Sequence, residues 1–298
     1  MVFSSLIFIC VFLPVVFLGE LILPGIRVKN AWLLIFSLLF YAYGEPVYVL
    51  LLIASSFINS VCALLVRRGD ETNKFVLALN VVLNLGILGV FKYTGMILTT
   101  INDLAGTAFA VPAIALPIGI SFFTFQAMSY VIDVYRGDVE PQKNYFKVLL
   151  YISFFPQLIA GPIIKYRDVS RFLDDRKMTA KGMTYGFVRF TFGLSKKLLI
   201  ANTCGLVADR IFAAPQNQIY MLTAWIGAIA YLLQIYYDFS GYSDMAIGLG
   251  RMMGFEIMEN FDHPYASTSV KLFWRRWHIS LSTWFREYLY IPLGGNRK

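Results

Sequence analysis

Apolar residues run along this chain in long blocks, separated by short stretches that hold most of the charge. The blocks cover roughly 2–23, 31–43, 46–66, 75–101, 113–135, 146–164, 184–201 and 219–250. Most approach the ~20 residues a helix needs to cross a bilayer, so the pattern predicts a series of membrane-spanning helices. The block at 31–43 is short and predicts a crossing that tilts little or thins the bilayer locally. The block at 2–23 has no Lys or Arg before it and no small-residue cleavage pattern. It therefore predicts a retained first span rather than a signal peptide. A last stretch, 271–290, is amphipathic, and no repeat of 20–50 residues is visible.

Composition sharpens this picture. The 298 residues are 58% hydrophobic and 15% charged, with a mean hydropathy of +0.62. A chain so poor in polar residues cannot clothe a water-soluble surface. A soluble enzyme, a disordered chain and a nucleic-acid-binding domain are excluded. The expectation is an all-α, polytopic integral membrane protein forming one membrane domain over 1–298. The formal net charge of +8 fits Lys and Arg held in cytoplasmic loops. Anionic lipid headgroups and an anionic cytosolic ligand are compatible partners. Cys10, Cys62 and Cys204 lie in or beside apolar blocks without a C-x-x-C pair, so they read as small apolar residues.

The basic residues also give an orientation. Arg27 and Lys29, then Arg67, Arg68 and Lys74, then Arg136 and Lys143 fall in alternate loops. This predicts an external N-terminus. Residues 165–181 break the alternation with Lys165, Arg167, Arg171, Arg176, Lys177 and Lys181. The block before them contains Pro156, Gly161 and Pro162, which interrupt a regular helix. The expectation is that 146–164 is re-entrant, entering and leaving on the cytoplasmic side.

Polar groups at membrane depth are the candidates for function. Glu20 lies near the end of its block and is expected at the interface. Arg189, Lys196 and Lys197 are expected to snorkel or to face the bundle interior. Between Gln234 and Asp244 the chain gathers Asp238, Ser240, Ser243, Asp244 and three tyrosines around Gly241. Such a cluster is too costly to face lipid. It lines a polar cavity or pairs with basic groups, and the pattern does not choose. Asn260 and Asp262 mark a turn, and His263, before Pro264, reads as an ordinary loop histidine.

Read as one helix, KLFWRRWHISLSTWFREYLY (271–290) puts Trp274, Trp277, Leu281, Trp284 and Tyr288 on one arc. His278, Ser282, Arg275 and Arg286 lie on a neighbouring arc, with Ser282 one turn from His278 and placed to orient its ring. An imidazole beside fixed positive charge suits proton transfer next to a phosphate or oxyanion. The same pattern fits an interfacial helix with Trp and Arg at headgroup level. Without a carboxylate in register Ser282 is not a triad nucleophile, and no metal-site or nucleotide-loop spacing occurs.

The segment FWRRWHISLSTWFREYLYIPLGGNR (273–297) resembles the membrane-bound O-acyltransferase family, most of all its bacterial alginate O-acetyltransferase branch. QIYYDFSGYSDMAIGLGRMMGFEIMENFDHPY (234–265), FFPQLIAGPIIKY (154–166) and LPIGISFFTFQAMSYVIDVYRG (116–137) resemble earlier blocks of the same branch. The resemblance implies a ring of helices around a thinned membrane centre, with re-entrant cytoplasmic segments, in a bacterial inner membrane. It implies acyl transfer from a cytosolic acyl-CoA, acetyl-CoA in this branch, with no bound cofactor. The acceptor is then an exported polysaccharide, reached through periplasmic partner proteins. His278 corresponds to the first of the family's two motif histidines. The second comes later in family members, so the chain is expected to be an N-terminal portion. Arg275, Ser282, Arg286, Asp238, Ser240, Asp244 and Asn260 are the donor or cavity candidates beside His278. A transporter or flippase, and a truncated chain that inserts without catalysing, are the alternatives.

Overall fold

The computed structural model describes residues 2–69, 71–215, 217 and 219–296. In chain order a π-helical turn, Phe8–Phe12, leads into α1 (Leu13–Ile22), followed by α2 (Gly25–Gly44) and α3 (Tyr48–Val66). A small antiparallel hairpin, β1 (Arg67–Arg68) and β2 (Glu71–Thr72), precedes α4 (Lys74–Ala105). Then come α5 (Ile120–Arg136), α6 (Tyr145–Ser153), α7 (Phe155–Leu158), α8 (Tyr166–Asp174) and α9 (Ala180–Ser195). A π-helical segment, Lys196–Ala201, joins α9 to α10 (Asn202–Phe212); α11 (Met221–Met252), α12 (Val270–Arg276) and α13 (Ile279–Phe285) follow. The fold is all-α, as expected for this hydropathy pattern.

Among the described residues, Gly25–Gly44, Tyr48–Val66 and Lys74–Ala105 are long and apolar enough to cross a membrane. The short block at 31–43 is thus part of a 20-residue helix. Arg27 and Lys29 belong to its first turns rather than to a loop, and no unusually thin crossing is required. Along α4, Phe75, Val82, Val90, Met96 and Leu104 are exposed. An apolar helix surface of this kind suits lipid rather than water.

The described residues form two compact units. One comprises Met1–Leu23, Ala160–Pro162 and Asp175–Lys298; the other comprises Pro24–Ile159 and Ile163–Asp174. In the second, α3 packs on α4, α5 and α6, and α2 packs on α6 and α8. Its interior is partly polar. Asn59 on α3 receives hydrogen bonds from Asn80 (2.9 Å) and Asn84 (3.0 Å) on α4. Such amide pairs hold apolar helices together where burial alone gives no preference between neighbour and lipid. The block 146–164 is not one helix: α6 has nine residues, about 14 Å at helical rise and too short to span a bilayer. The chain breaks at Phe154 (ψ 111°) before the short α7. Residues 165–181 are not a continuous loop either, because α8 occupies Tyr166–Asp174 and Lys165 is buried.

In the first unit, α9 and α11 pack against each other along their length. Glycines seven residues apart on each helix make this possible. A Cβ on Gly193 would lie 2.5 Å from the Gly241 carbonyl oxygen, and one on Gly248 would lie 2.6 Å from that of Gly186. Backbone therefore meets backbone at both crossings. The same unit contains a buried ion pair: Arg176 Nη2 donates to both Glu20 carboxylate oxygens, at 3.1 and 3.0 Å. Glu20 is fully buried, which corrects its expected place at the interface. A carboxylate at that depth needs its countercharge beside it.

Candidate functional site

The site is assembled where the amphipathic stretch breaks. Residues 271–290 are not one helix. His278 adopts φ 46° and ψ 55°, a left-handed conformation that ends α12 at Arg276 and starts α13 at Ile279. Such a conformation costs a residue with a Cβ about 1–2 kcal/mol and is held only where the surroundings fix it. The arc that put His278, Ser282 and Arg275 on one face does not exist, because the helix direction changes at the histidine.

Asn260 lies at the centre of what replaces it. Its side chain is fully buried. Its Oδ1 accepts from the Ser280 backbone N–H at 3.1 Å and from Ser280 Oγ at 2.9 Å. His278 Nδ1 lies 3.2 Å from the same oxygen. Asn260 Nδ2 donates to Ser243 Oγ on α11 at 3.3 Å, and the Asn260 carbonyl accepts from Ile279 N at 3.0 Å. The residues 260–262, α11 and the α12–α13 corner are thereby fastened at one amide.

The imidazole is 7% exposed. Phe239 meets it edge-on, ring centres 4.7 Å apart, and Phe261 backs Phe239 at 5.0 Å. Burial among these groups disfavours the charged ring and pushes the His278 pKa down to about 4. At neutral pH the ring is uncharged and able to accept a proton. His263 also has a positive φ, 45°. It is exposed, with Asp262 Oδ1 at 3.2 Å, in keeping with a loop histidine.

The other sequence candidates divide. Ser282 does not orient His278: its Oγ donates to the Trp277 carbonyl at 3.5 Å. Ser280, two residues from His278, comes within 3.4 Å of its Nδ1 instead. The periodic helix reading hid this, because residues two apart face different directions on an unbroken helix. Arg275 and Arg286 are exposed, and Glu287 lies 3.6 Å from Arg286. Ser240 Oγ is buried without a hydrogen-bond partner among the described residues.

The acidic residues of α11 are paired. Asp244 meets Arg189 at 2.7 Å and Lys196 at 2.6 Å. Asp238 meets Lys197 at 2.6 Å, and Arg189 also reaches Glu259 at 2.6 Å. The two lysines stand in the π-helical segment beside Gly241, whose absent Cβ would lie 3.3 Å from Lys196 Cβ and from Lys197 N. Of the two readings left open for this cluster, pairing with basic groups holds for both carboxylates. Lys196 and Lys197 are placed by these partners. Among the described residues no group of three or more His, Cys, Asp or Glu could hold a metal ion.

Comparison with known proteins bears on what this geometry serves. Residues 141–298 match the MBOAT, membrane-bound O-acyltransferase, family. "Probable alginate O-acetylase AlgI" of Pseudomonas syringae is 47% identical over the whole of this chain, which covers 58% of that protein. The protein of the same name from Pseudomonas aeruginosa is 46% identical, with the same coverage. "Peptidoglycan O-acetyltransferase" of Helicobacter pylori is 36% identical over the whole chain, which covers 62% of it. The chain thus spans about three fifths of the length of these curated relatives.

Proposed function

The chain belongs to the membrane-bound O-acyltransferase family, and we propose that it serves a membrane enzyme that moves an acetyl group from cytosolic acetyl-CoA to the hydroxyl of an exported polysaccharide. The relatives named for alginate and peptidoglycan acetylation support a polysaccharide acceptor. Periplasmic partner proteins complete the delivery. The N-terminus faces the periplasm and the α12–α13 corner faces the cytoplasm, where the donor arrives.

One observation carries this reading: a buried imidazole held in a strained conformation inside the segment that matches the family. Acyl transfer to a hydroxyl requires the proton of the attacking oxygen to leave as the thioester carbonyl is attacked. It also requires a proton for the departing CoA thiolate. In this reading His278 stands at that centre uncharged at neutral pH, with a ring nitrogen open to the departing proton. Arg275 and Arg286, exposed on either side of it in sequence, would meet the CoA phosphates. The transporter reading rested on Asp238 and Asp244 as pathway groups and on the broken segment 146–164; both carboxylates carry their own cations, which weakens the first ground.

The test is His278→Ala expressed at the wild-type level in cells that export the polysaccharide. The expected outcome is a loss of acetylation of about a hundredfold or more, in line with the usual weight of a proton-transfer group. Undiminished acetylation would refute the role of His278.

A further inference from the structure

We propose that Asn260 is the positioning residue of His278: its side-chain oxygen holds the proton of the imidazole on Nδ1 and so presents Nε2 as the accepting nitrogen. This rests on the reading of His278 as the proton-transfer group and adds what sets its tautomer.

The identity of the Asn260 atoms is fixed by their neighbours. The Ser280 backbone N–H can only donate, and it points at one terminal atom of the Asn260 side chain at 3.1 Å. That atom is therefore the oxygen. The opposite terminal atom, the amide nitrogen, faces Ser243 Oγ at 3.3 Å, so the amide has one orientation. Asn260 Oδ1 then lies 3.2 Å from His278 Nδ1. A carbonyl oxygen cannot donate, so a hydrogen bond between them requires a proton on Nδ1. In a neutral imidazole this leaves the lone pair on Nε2. Ser280 Oγ donates to the same oxygen at 2.9 Å and lies 3.4 Å from Nδ1, so its hydroxyl proton is directed away from the ring.

The burial of Asn260 makes the arrangement stiff. The residue is fully enclosed, and its main chain accepts from Ile279 N at 3.0 Å. The left-handed turn at His278 and the tautomer of its ring are thus both tied to one residue, Asn260. A loop asparagine kept only for a turn would have no need to direct its amide at a histidine eighteen residues away.

The test reads the ring nitrogens directly. The full chain, labelled with 15N-histidine and held in lipid bilayers, is compared with His278→Ala, which identifies the His278 signals by their loss. The expected wild-type spectrum at neutral pH has a protonated Nδ1 and an unprotonated Nε2. Asn260→Ala is expected to abolish that preference, and Asn260→Asp, which keeps an acceptor at the same place, to retain it. A wild-type ring protonated on Nε2, or a preference unchanged in Asn260→Ala, would overturn the proposal. In the acetylation assay Asn260→Ala is expected to lower kcat by roughly ten- to a hundredfold with little change in KM for acetyl-CoA, and Asn260→Asp to recover part of the loss. Equal kcat in wild type and Asn260→Ala would also overturn it. A tautomer that depends on Asn260, together with undiminished acetylation in His278→Ala, would sustain the positioning role and refute the functional reading instead.

Discussion

At φ 46° His278 cannot continue α12, and the chain restarts as α13 with the imidazole against Phe239 and Asn260. The pKa shift that follows has a defined sign. In the unfolded chain the ring takes up a proton below about pH 6.5, while the folded ring resists it until about pH 4. Stability is therefore lost as pH falls through that window and is insensitive to this group above it. Thermal unfolding between pH 7 and pH 4 should show a steeper fall in Tm for wild type than for His278→Gln, which has nothing to titrate. Equal slopes would refute the assignment. That His278 is a candidate was legible in the sequence, from its place in an aromatic and basic stretch that resembles a family motif. Its partners were not. Ser282 is its periodic neighbour only if the helix is unbroken, and a left-handed histidine leaves no mark in a hydropathy pattern. Asn260 was singled out as a turn former, but a turn former and a hub of buried hydrogen bonds look alike until the chain is folded.

At the scale of elements, the α9–α11 pair combines two requirements that oppose each other elsewhere. Close backbone approach needs small residues, and ionic pairing needs long ones. Glycines 186, 193, 241 and 248 supply the first, and Arg189, Lys196 and Lys197 supply the second between them. Gly193→Leu should force the helices apart, at a cost of about 1–3 kcal/mol or more from overpacking. It should also weaken the Asp244 pairs, which lie beside the glycine contact: a Cβ on Gly193 would sit 2.9 Å from Asp244 Cβ. Thermal unfolding in detergent measures the first effect, and a disulfide engineered across the two helices reports the second. A wild-type Tm in Gly193→Leu would contradict the packing. The helices themselves were visible as apolar blocks, since a block of that length has few other uses. Their partners were not visible, because the seven-residue spacing of glycines is weak against a chain with 22 glycines. The broken character of 146–164 was legible from Pro156, Gly161 and Pro162, whereas the true extent of α2 was masked by Arg27 and Lys29, which a helix end accommodates as readily as a loop.

At the scale of the whole molecule, the first unit draws on three separated parts of the chain. The Glu20–Arg176 pair links two of them across 156 positions of sequence. Both side chains are almost completely buried, 0% and 1% exposed. Removing one partner strands the other charge, so Glu20→Ala should destabilise the protein by about 3–5 kcal/mol. Glu20→Leu combined with Arg176→Met should recover most of the loss. Unfolding curves for the single and double variants decide this, and additive losses would show that the two residues act independently. A composition of 58% apolar residues announced a membrane protein, but it carried no information on which distant charges meet. Glu20 read as an interfacial residue because it lies near the end of its apolar block.

That pairing also has a history in time. At a synthesis rate of roughly 5–20 residues per second, Arg176 leaves the ribosome about 8–30 s after Glu20. The N-terminal helix enters the bilayer with an acidic side chain whose countercharge has not yet been made. During that interval the Glu20 carboxylate lacks the bidentate pair that Arg176 gives it in the folded protein. The Glu20–Arg176 contact can therefore form only once Arg176 has been synthesised, well after α1 has left the ribosome.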